Sequence, residues 1–594
     1  MKNSRRIFFG VSLLAVGTIA GFFISSRPVD QQKTLVVPGQ DRTVLTEVTG
    51  KGVHWTRKLN TFATHLEIED HFSIESSEMR GVKISHSLST SVGEVSLGGQ
   101  DIRALLKNLD YRKSPIDFSD PWNPTVYGLS PTGAIGLVAE DDVFRQQVRL
   151  FFNPFEKRAG MKTTSLCLAP GKEVVLKWSV YSDHGKTYWD FLNRVRKDWG
   201  IEKSVPGAFV WFHPADILGI PLSNLQTELR RQNVGIANMF GGWVDRHAKP
   251  EKGKPPFIGF GTAPLLDRFS GFRTEISAAI RKLKAARPGI RVYVYFDAQR
   301  DSSPDSLQKY EDSRFLKGDS TPESTDWLGE YSRTWSFYPT LENSYGRALF
   351  DVVDLGKKLG ADGIYWDEME SLDYSGVRAT RGAWDGFSCE LDDHQRILGK
   401  IGYLNLLSKG AKEAFAERAG AVMANSPPTT RRLGLRQDLH MVEGQHRSDY
   451  STYAHLTTPL AFIGSEDDWN RILAPLDHGL LPLSVRLGYR TSFLAKIYPI
   501  TPVELYSGAV LGRDKIVARR SGHYGWKTAC ESVHVIQYDS EGEEIDFTGT
   551  MERRVGSCLV NVELGRNGAI ILERIPSAAG VRGEKPLFYD PVFL

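Results

Sequence analysis

The chain has 594 residues and a formal net charge of +3, with 41% hydrophobic and 24% charged residues. This length calls for about two to four domains, and so small a net charge gives no basis for nucleic acid or a strongly acidic partner. Aromatic residues make up 11%, including 13 Trp and 21 Tyr, which suits carbohydrate without being specific to it.

At the start, Lys2, Arg5 and Arg6 precede an apolar run over residues 7–24. A basic stretch followed by such a run is the pattern of an export signal or signal anchor. Ser4-Arg5-Arg6-Ile7-Phe8-Phe9 resembles the twin-arginine signal of bacteria. The run is about 18 residues long, near the lower limit for a membrane span. Residues 7–24 are therefore read as a signal or a membrane tether, and the body is expected outside the cytoplasm, periplasmic or extracellular. Residues 1–32 are set apart from the fold.

Residues 33–200 read as β. Strands are expected near 44–48, 72–74, 82–85, 134–138, 148–152 and 173–181, each rich in β-branched or aromatic residues and bounded by turn residues. Short strands at this spacing point to a sandwich. Residues 188–199 follow with Trp189, Leu192, Val195 and Trp199 on one helical stripe, which predicts a linking helix.

Between 201 and 501 strand and helix patterns alternate, the signature of a parallel α/β fold. Barrel strands are expected at 207–213, 234–240, 290–296, 364–366, 421–424, 439–442, 459–463 and 481–485. Helices are expected at 222–231, 275–286, 345–359 and 397–418. Two long polar insertions, 300–339 and 373–396, interrupt the pattern, and loops of that length are usually functional. From 502 to 594 the chain returns to short strands and hairpin turns.

The central stretch is Ala361–Glu370. Ile364, Tyr365 and Trp366 form a short apolar run, the pattern of a buried parallel strand. Where it stops, Asp367, Glu368 and Glu370 appear. Alternate residues of a strand share a face, which predicts Glu368 and Glu370 on the side opposite Asp367. In an eight-fold β/α barrel the carboxyl ends of the strands carry the chemistry. Seven successive predicted strands end in a polar group. Asp367 and Glu443, at the ends of different strands, are the candidate pair of reacting carboxyls, with Asp449 and Glu466 as substitutes. Asp297 and Glu370 are candidates for binding sugar hydroxyls, and His213, Asp245 and Asn425 for further hydrogen bonds. Trp243 and Trp366 are candidates for stacking on a sugar ring.

Asp362-Gly363-Ile364-Tyr365-Trp366-Asp367 is similar to the strand-four motif of the retaining α-glycosidases that ends in the nucleophilic aspartate. Together with the order sandwich, barrel, β-domain, the chain resembles exported glycoside hydrolases, especially the α-galactosidase clan and the endo-α-N-acetylgalactosaminidases. The resemblance implies an α/β fold: a TIM barrel flanked by a mutarotase-like N-terminal β-sandwich and a small C-terminal β-domain. It also implies a glycosidase using two carboxylates, with retention, a carbohydrate substrate and no cofactor. The chitinase signature is not met: Tyr365 stands at its second aspartate and Met369 at its catalytic glutamate. Two other classes stay open, a non-catalytic glycan-binding surface protein and a metal-dependent hydrolase, although no metal-binding motif is present.

None of the four cysteines, Cys167, Cys389, Cys530 and Cys558, lies in a CxxC pair, which argues against structural zinc. Cys530 and Cys558 share the late β region and are the candidate disulfide.

Overall fold

The structure is a computed structural model. It describes residues 31–589 apart from 38–42, 91–94, 108–114, 131–132, 184–186, 240–242, 245–257, 260–269, 304, 317–319, 326–332, 370–383, 402–408, 437–438, 444–451, 464–467, 484–486, 488–491, 528–529, 555–556 and 576–585. The signal or tether expected at 7–24 lies outside the described residues. Among the described residues no helix is long and apolar enough to cross a membrane.

Two antiparallel sheets make up the N-terminal sandwich. Leu66–Ile74 shows the cause in miniature: Ile68, Phe72 and Ile74 face the core in alternation with half-buried polar residues. The linking helix, Tyr188–Asp198, begins with a capping box between Thr187 and Asp190, which satisfies two otherwise orphaned groups at its start. Its expected stripe faces inward: Leu192, Val195 and Trp199 are buried among side chains of sandwich and barrel, and Trp189 is half-buried against them.

Eight parallel strands in chain order form the nearly closed barrel: Ala208–Phe212, Val234–Met239, Arg291–Asp297, Gly363–Asp367, Val422–Asn425, Leu439–Glu443, Leu460–Phe462 and Leu481–Leu483. All eight expected strands are present. The approach to the fourth shows how sequence sets the geometry. Helix Ser344–Lys358 stops at Gly360, whose φ of +99° suits a residue without a Cβ. Asp362 then accepts a hydrogen bond from the Val292 amide at 2.8 Å, fixing strand four against strand three. A Cβ at Gly363 would lie 2.0 Å from the Ala421 carbonyl oxygen, so glycine there lets strands four and five close up.

The C-terminal domain is a six-stranded and a four-stranded sheet, and Cys530 and Cys558 are disulfide-bonded there with Cα atoms 4.9 Å apart.

Two expectations need correction. The helix read over 397–418 is in fact a strand, Ile397–Ile401, and a later helix, Lys409–Ala419. The strand pairs with Ser388–Leu391, inside the insertion read as a loop, and Ser388 pairs with Leu166 of the sandwich. The pattern was overridden by pairing with a neighbouring strand that is itself joined to the sandwich. A second disulfide, Cys167–Cys389, fixes this hairpin to the sandwich across 222 residues of sequence. No local spacing announces a pair that far apart.

Candidate active site

Residues paired across a parallel ladder point to the same face. Trp211 pairs with Asn238, Asn238 with Tyr293 and Tyr293 with Gly363. Tyr295 pairs with Tyr365 and Asp297 with Asp367 in the same register. Asn425 lies in the same row as Asp367, since Tyr365 pairs with Met423. Met441 pairs with Asn425, and Glu443, two residues further along strand six, lies on the same face. Asp297, Asp367, Asn425 and Glu443 thus share the inner face at the carboxyl end of the barrel. Beneath them Tyr365 packs at 4.7 Å from Trp211, 6.3 Å from Tyr295 and 6.5 Å from Phe209, giving an aromatic floor.

Asp367 is held at both oxygens. Tyr295 donates its hydroxyl to Oδ2 at 2.9 Å, and Asn425 donates Nδ2 to Oδ1 at 2.8 Å. The Glu368 amide donates to Oδ1 at 3.1 Å. Strand four ends at Asp367, and Glu368 takes a φ of +47°. Left-handed backbone at a residue with a Cβ persists where the surroundings hold it. The turn sends the Glu368 carboxylate to Arg300 Nε at 2.5 Å, and both side chains are largely buried. Glu368 is therefore an ion-paired wall of the site. The extended-strand reading could not show this, because the strand has already ended.

Burial raises the Asp367 carboxyl above the usual range, against the hydrogen bonds from Asn425 and Tyr295. Burial also pushes Asp297 well up, and the neighbouring Glu368 and Asp367 charges add to it, with Arg300 opposing. Glu368 is raised by burial, with its Arg300 partner opposing. Glu443 is exposed at the end of its strand, although its carboxyl is largely desolvated. Burial, with the Asp367 charge next, pushes it up to about 7, while a hydrogen bond from Asn425 works against the shift. Asn425, which bonds Asp367, thus also lies beside Glu443. Among the described residues one guanidinium is in contact with this group of carboxyls, which disfavours ionising all of them together.

Other expected residues fall elsewhere. Asp297 is fully buried, and its Oδ1 accepts the Gln299 and Arg300 amides at 2.7 and 3.1 Å. It acts on the site through the turn it holds, not as an open sugar ligand. Trp366 is not a stacking platform. It is buried on the outer face of the barrel, 5.1 Å from Phe296 and 6.1 Å from Phe415, because it sits one residue out of phase with the inner row. His213 is half-buried and opens helix Pro214–Gly219 just past strand one. Trp243 lies in a two-residue strand paired with Ile258–Gly259. Asp245, Glu370, Asp449 and Glu466 lie outside the described residues. Asp468, beside Glu466, caps helix Trp469–Asp477.

The sequence reading missed Tyr295, Tyr365 and Arg300. Both tyrosines stand two residues before a strand-end aspartate, so the alternation of a strand already put them on the inner face. The Tyr365 hydroxyl is buried near the Asp367 and Glu443 charges and makes no hydrogen bond among the described residues. Also among the described residues, no three His, Cys, Asp or Glu side chains converge as metal ligands. A surface hollow lined by Lys284, Arg291, Asp362 and Ala421 lies at the opposite end of the barrel strands. The Lys284–Asp362 ion pair sits in it, far from this chemistry.

No family model matches the sequence, and neither does any curated protein. Solved structures do match in shape. In fold the chain is similar to the GH36 α-galactosidases. A variant of the α-galactosidase AgaA from Geobacillus stearothermophilus, in complex with stachyose, aligns over 91% of this chain and 84% of its own, with a TM-score of 0.51 and 9% identity. The α-galactosidase of Lactobacillus brevis aligns over 93% and 86%, with a TM-score of 0.45 and 9% identity. That of Thermus thermophilus, also with stachyose, aligns over 77% and 88%, with a TM-score of 0.39 and 13% identity.

Proposed function

We propose that the protein is a glycoside hydrolase whose reaction takes place at the barrel mouth. The observation that carries this is the convergence of Asp367 and Glu443, from different strands, on the inner face at the mouth, close enough for the Asp367 charge to act on Glu443. Glycoside hydrolysis needs two carboxyls in different protonation states. Here Asp367 accepts three hydrogen bonds, which favour its ionised form. Glu443, at about 7, keeps a proton to give at neutral pH.

In this reading Glu443 donates its proton to the glycosidic oxygen as the C1–O bond breaks. The Asp367 carboxylate forms a bond to C1. Water then attacks C1, Glu443 takes the water's proton, and the Asp367–C1 bond breaks. The anomeric configuration is retained. Glu368, neutralised by Arg300, adds little net charge to the site. Asp449 and Glu466 remain substitutes for the acid/base. His213, Trp243, Asp245 and Glu370 remain candidates for substrate contact.

Aryl glycosides of both anomers, and stachyose as the first oligosaccharide, are the substrates to try. Turnover with retention, followed by proton NMR of the released sugar, supports the reading. Inversion removes the nucleophile role, and turnover that survives Asp367→Asn removes the site. Two disulfides suit an oxidising compartment, so the same reading puts the folded body outside the cytoplasm, with residues 7–24 as export signal or tether. Cell fractionation tests that.

A further inference from the structure

The sandwich helix Asp142–Gln147 carries three consecutive polar side chains, Arg145, Gln146 and Gln147, exposed by only 2%, 8% and 3%. Such residues are rarely hidden unless bonded. Arg145 donates Nε to the Thr429 carbonyl at 2.8 Å and Nη2 to the Pro121 carbonyl at 3.1 Å. Gln146 donates Nε2 to Thr429 Oγ1 at 2.5 Å. Gln147 donates Nε2 to Ser388 Oγ at 2.8 Å and accepts from Thr163. Asp142, at the start of the helix, accepts the Arg431 amide at 2.9 Å. Glu140 pairs with the Arg431 guanidinium, which also lies over Trp199 at 4.4 Å.

The targets are the two segments that leave the barrel mouth after strands four and five. Thr429 is four residues beyond Asn425. Ser388 lies in the hairpin that ends the insertion after Asp367 and is joined to the sandwich at Cys167–Cys389. Between Asn425 and Thr429, Ser426 holds a φ of +65° while its amide bonds the Met441 carbonyl at 3.0 Å. A left-handed serine needs its neighbours to hold it, and Thr429, three residues on, is held from outside the barrel by this clamp.

We propose that Arg145 and Gln146 are positioning residues for the reaction. By fixing the segment after strand five, they hold Asn425 where it bonds Asp367. The sandwich is then a working part of the active site, although none of these side chains touches substrate. The kinetic part of the test rests on the glycosidase reading above.

Two variants test it, Arg145→Ala and Thr429→Val. The second keeps the branched shape and removes only the oxygen that Gln146 bonds, so it decides the matter if the first does not fold. The expected result is a kcat lower by about tenfold, the loss of one hydrogen bond to a charged group at a distance, with KM within about twofold. The Asn425 hydrogen bond favours ionised Asp367, so loosening it moves the acid limb of the pH profile to higher pH. A folded variant with a lower melting temperature but unchanged kcat and pH profile overturns the proposal. If the wild type turns over no glycoside, the functional reading fails and hydrogen exchange judges positioning. Faster exchange at Met423 to Ser426 in Thr429→Val supports it, and unchanged exchange overturns it.

Discussion

The sandwich core and the barrel mouth both bury carboxylates, and they treat them in opposite ways. In the sandwich, Asp70 accepts two hydrogen bonds from Arg57, at 2.7 and 2.9 Å, and one each from Trp55 and Trp178 at 2.8 Å. Burial alone would raise its pKa, but Arg57 and the other partners hold it below the usual range. At the mouth, Asp297, Asp367, Glu368 and Glu443 crowd together with Arg300 in contact, and all are raised. Burial is therefore no guide to purpose. A buried carboxylate with a full set of donors holds a structure together. Buried carboxyls that face one another keep a proton available for chemistry.

The sharpest break between the two regions comes from removing one charge in each. Asp367→Asn should lower kcat by roughly 10⁴-fold or more while the melting temperature stays near that of the wild type. Asp70→Asn should do the reverse. It leaves the largely buried Arg57 without its counter-ion, at a cost of about 3–5 kcal/mol, read by denaturant unfolding, with kinetics of the folded fraction unchanged. Equal effects on both quantities in both variants would erase the distinction.

The next test is a pH profile. A general acid must be protonated, and Glu443 is pushed up to about 7. kcat/KM should therefore fall about tenfold per unit above that pH, and Glu443→Gln should abolish the limb for substrates with poor leaving groups. A profile flat through pH 9 would give the acid role to another group. The smallest effect is expected at Tyr295→Phe, which deletes one hydrogen bond to Asp367. It should lower kcat by about ten- to a hundredfold. Since that bond favours the ionised form, the acid limb should move to higher pH.

How much of the site was legible follows from the range of each signal. Strand alternation acts over two residues, so the shared inner face of Asp367, Asn425 and Glu443 was available from the text. The same rule, applied to Trp366, would have put it on the outer face from the start. The false helix over 397–418 shows the limit: its first residues have the apolar content of either element, and pairing with Ser388–Leu391, itself joined to the sandwich, made the choice.

By itself the sequence determined the succession of three domains, the eight barrel strands and the carboxyls at their ends, because these are written in local periodicity and in where apolar runs stop. Only the tertiary structure decided that Glu368 turns back to Arg300, that Asn425 bonds Asp367, that Cys167 meets Cys389, and that a sandwich helix grips the loops of the mouth. Those outcomes depend on groups tens to hundreds of residues apart meeting in a low-dielectric interior, where the strength of each hydrogen bond and charge is set by neighbours that no short stretch of sequence contains.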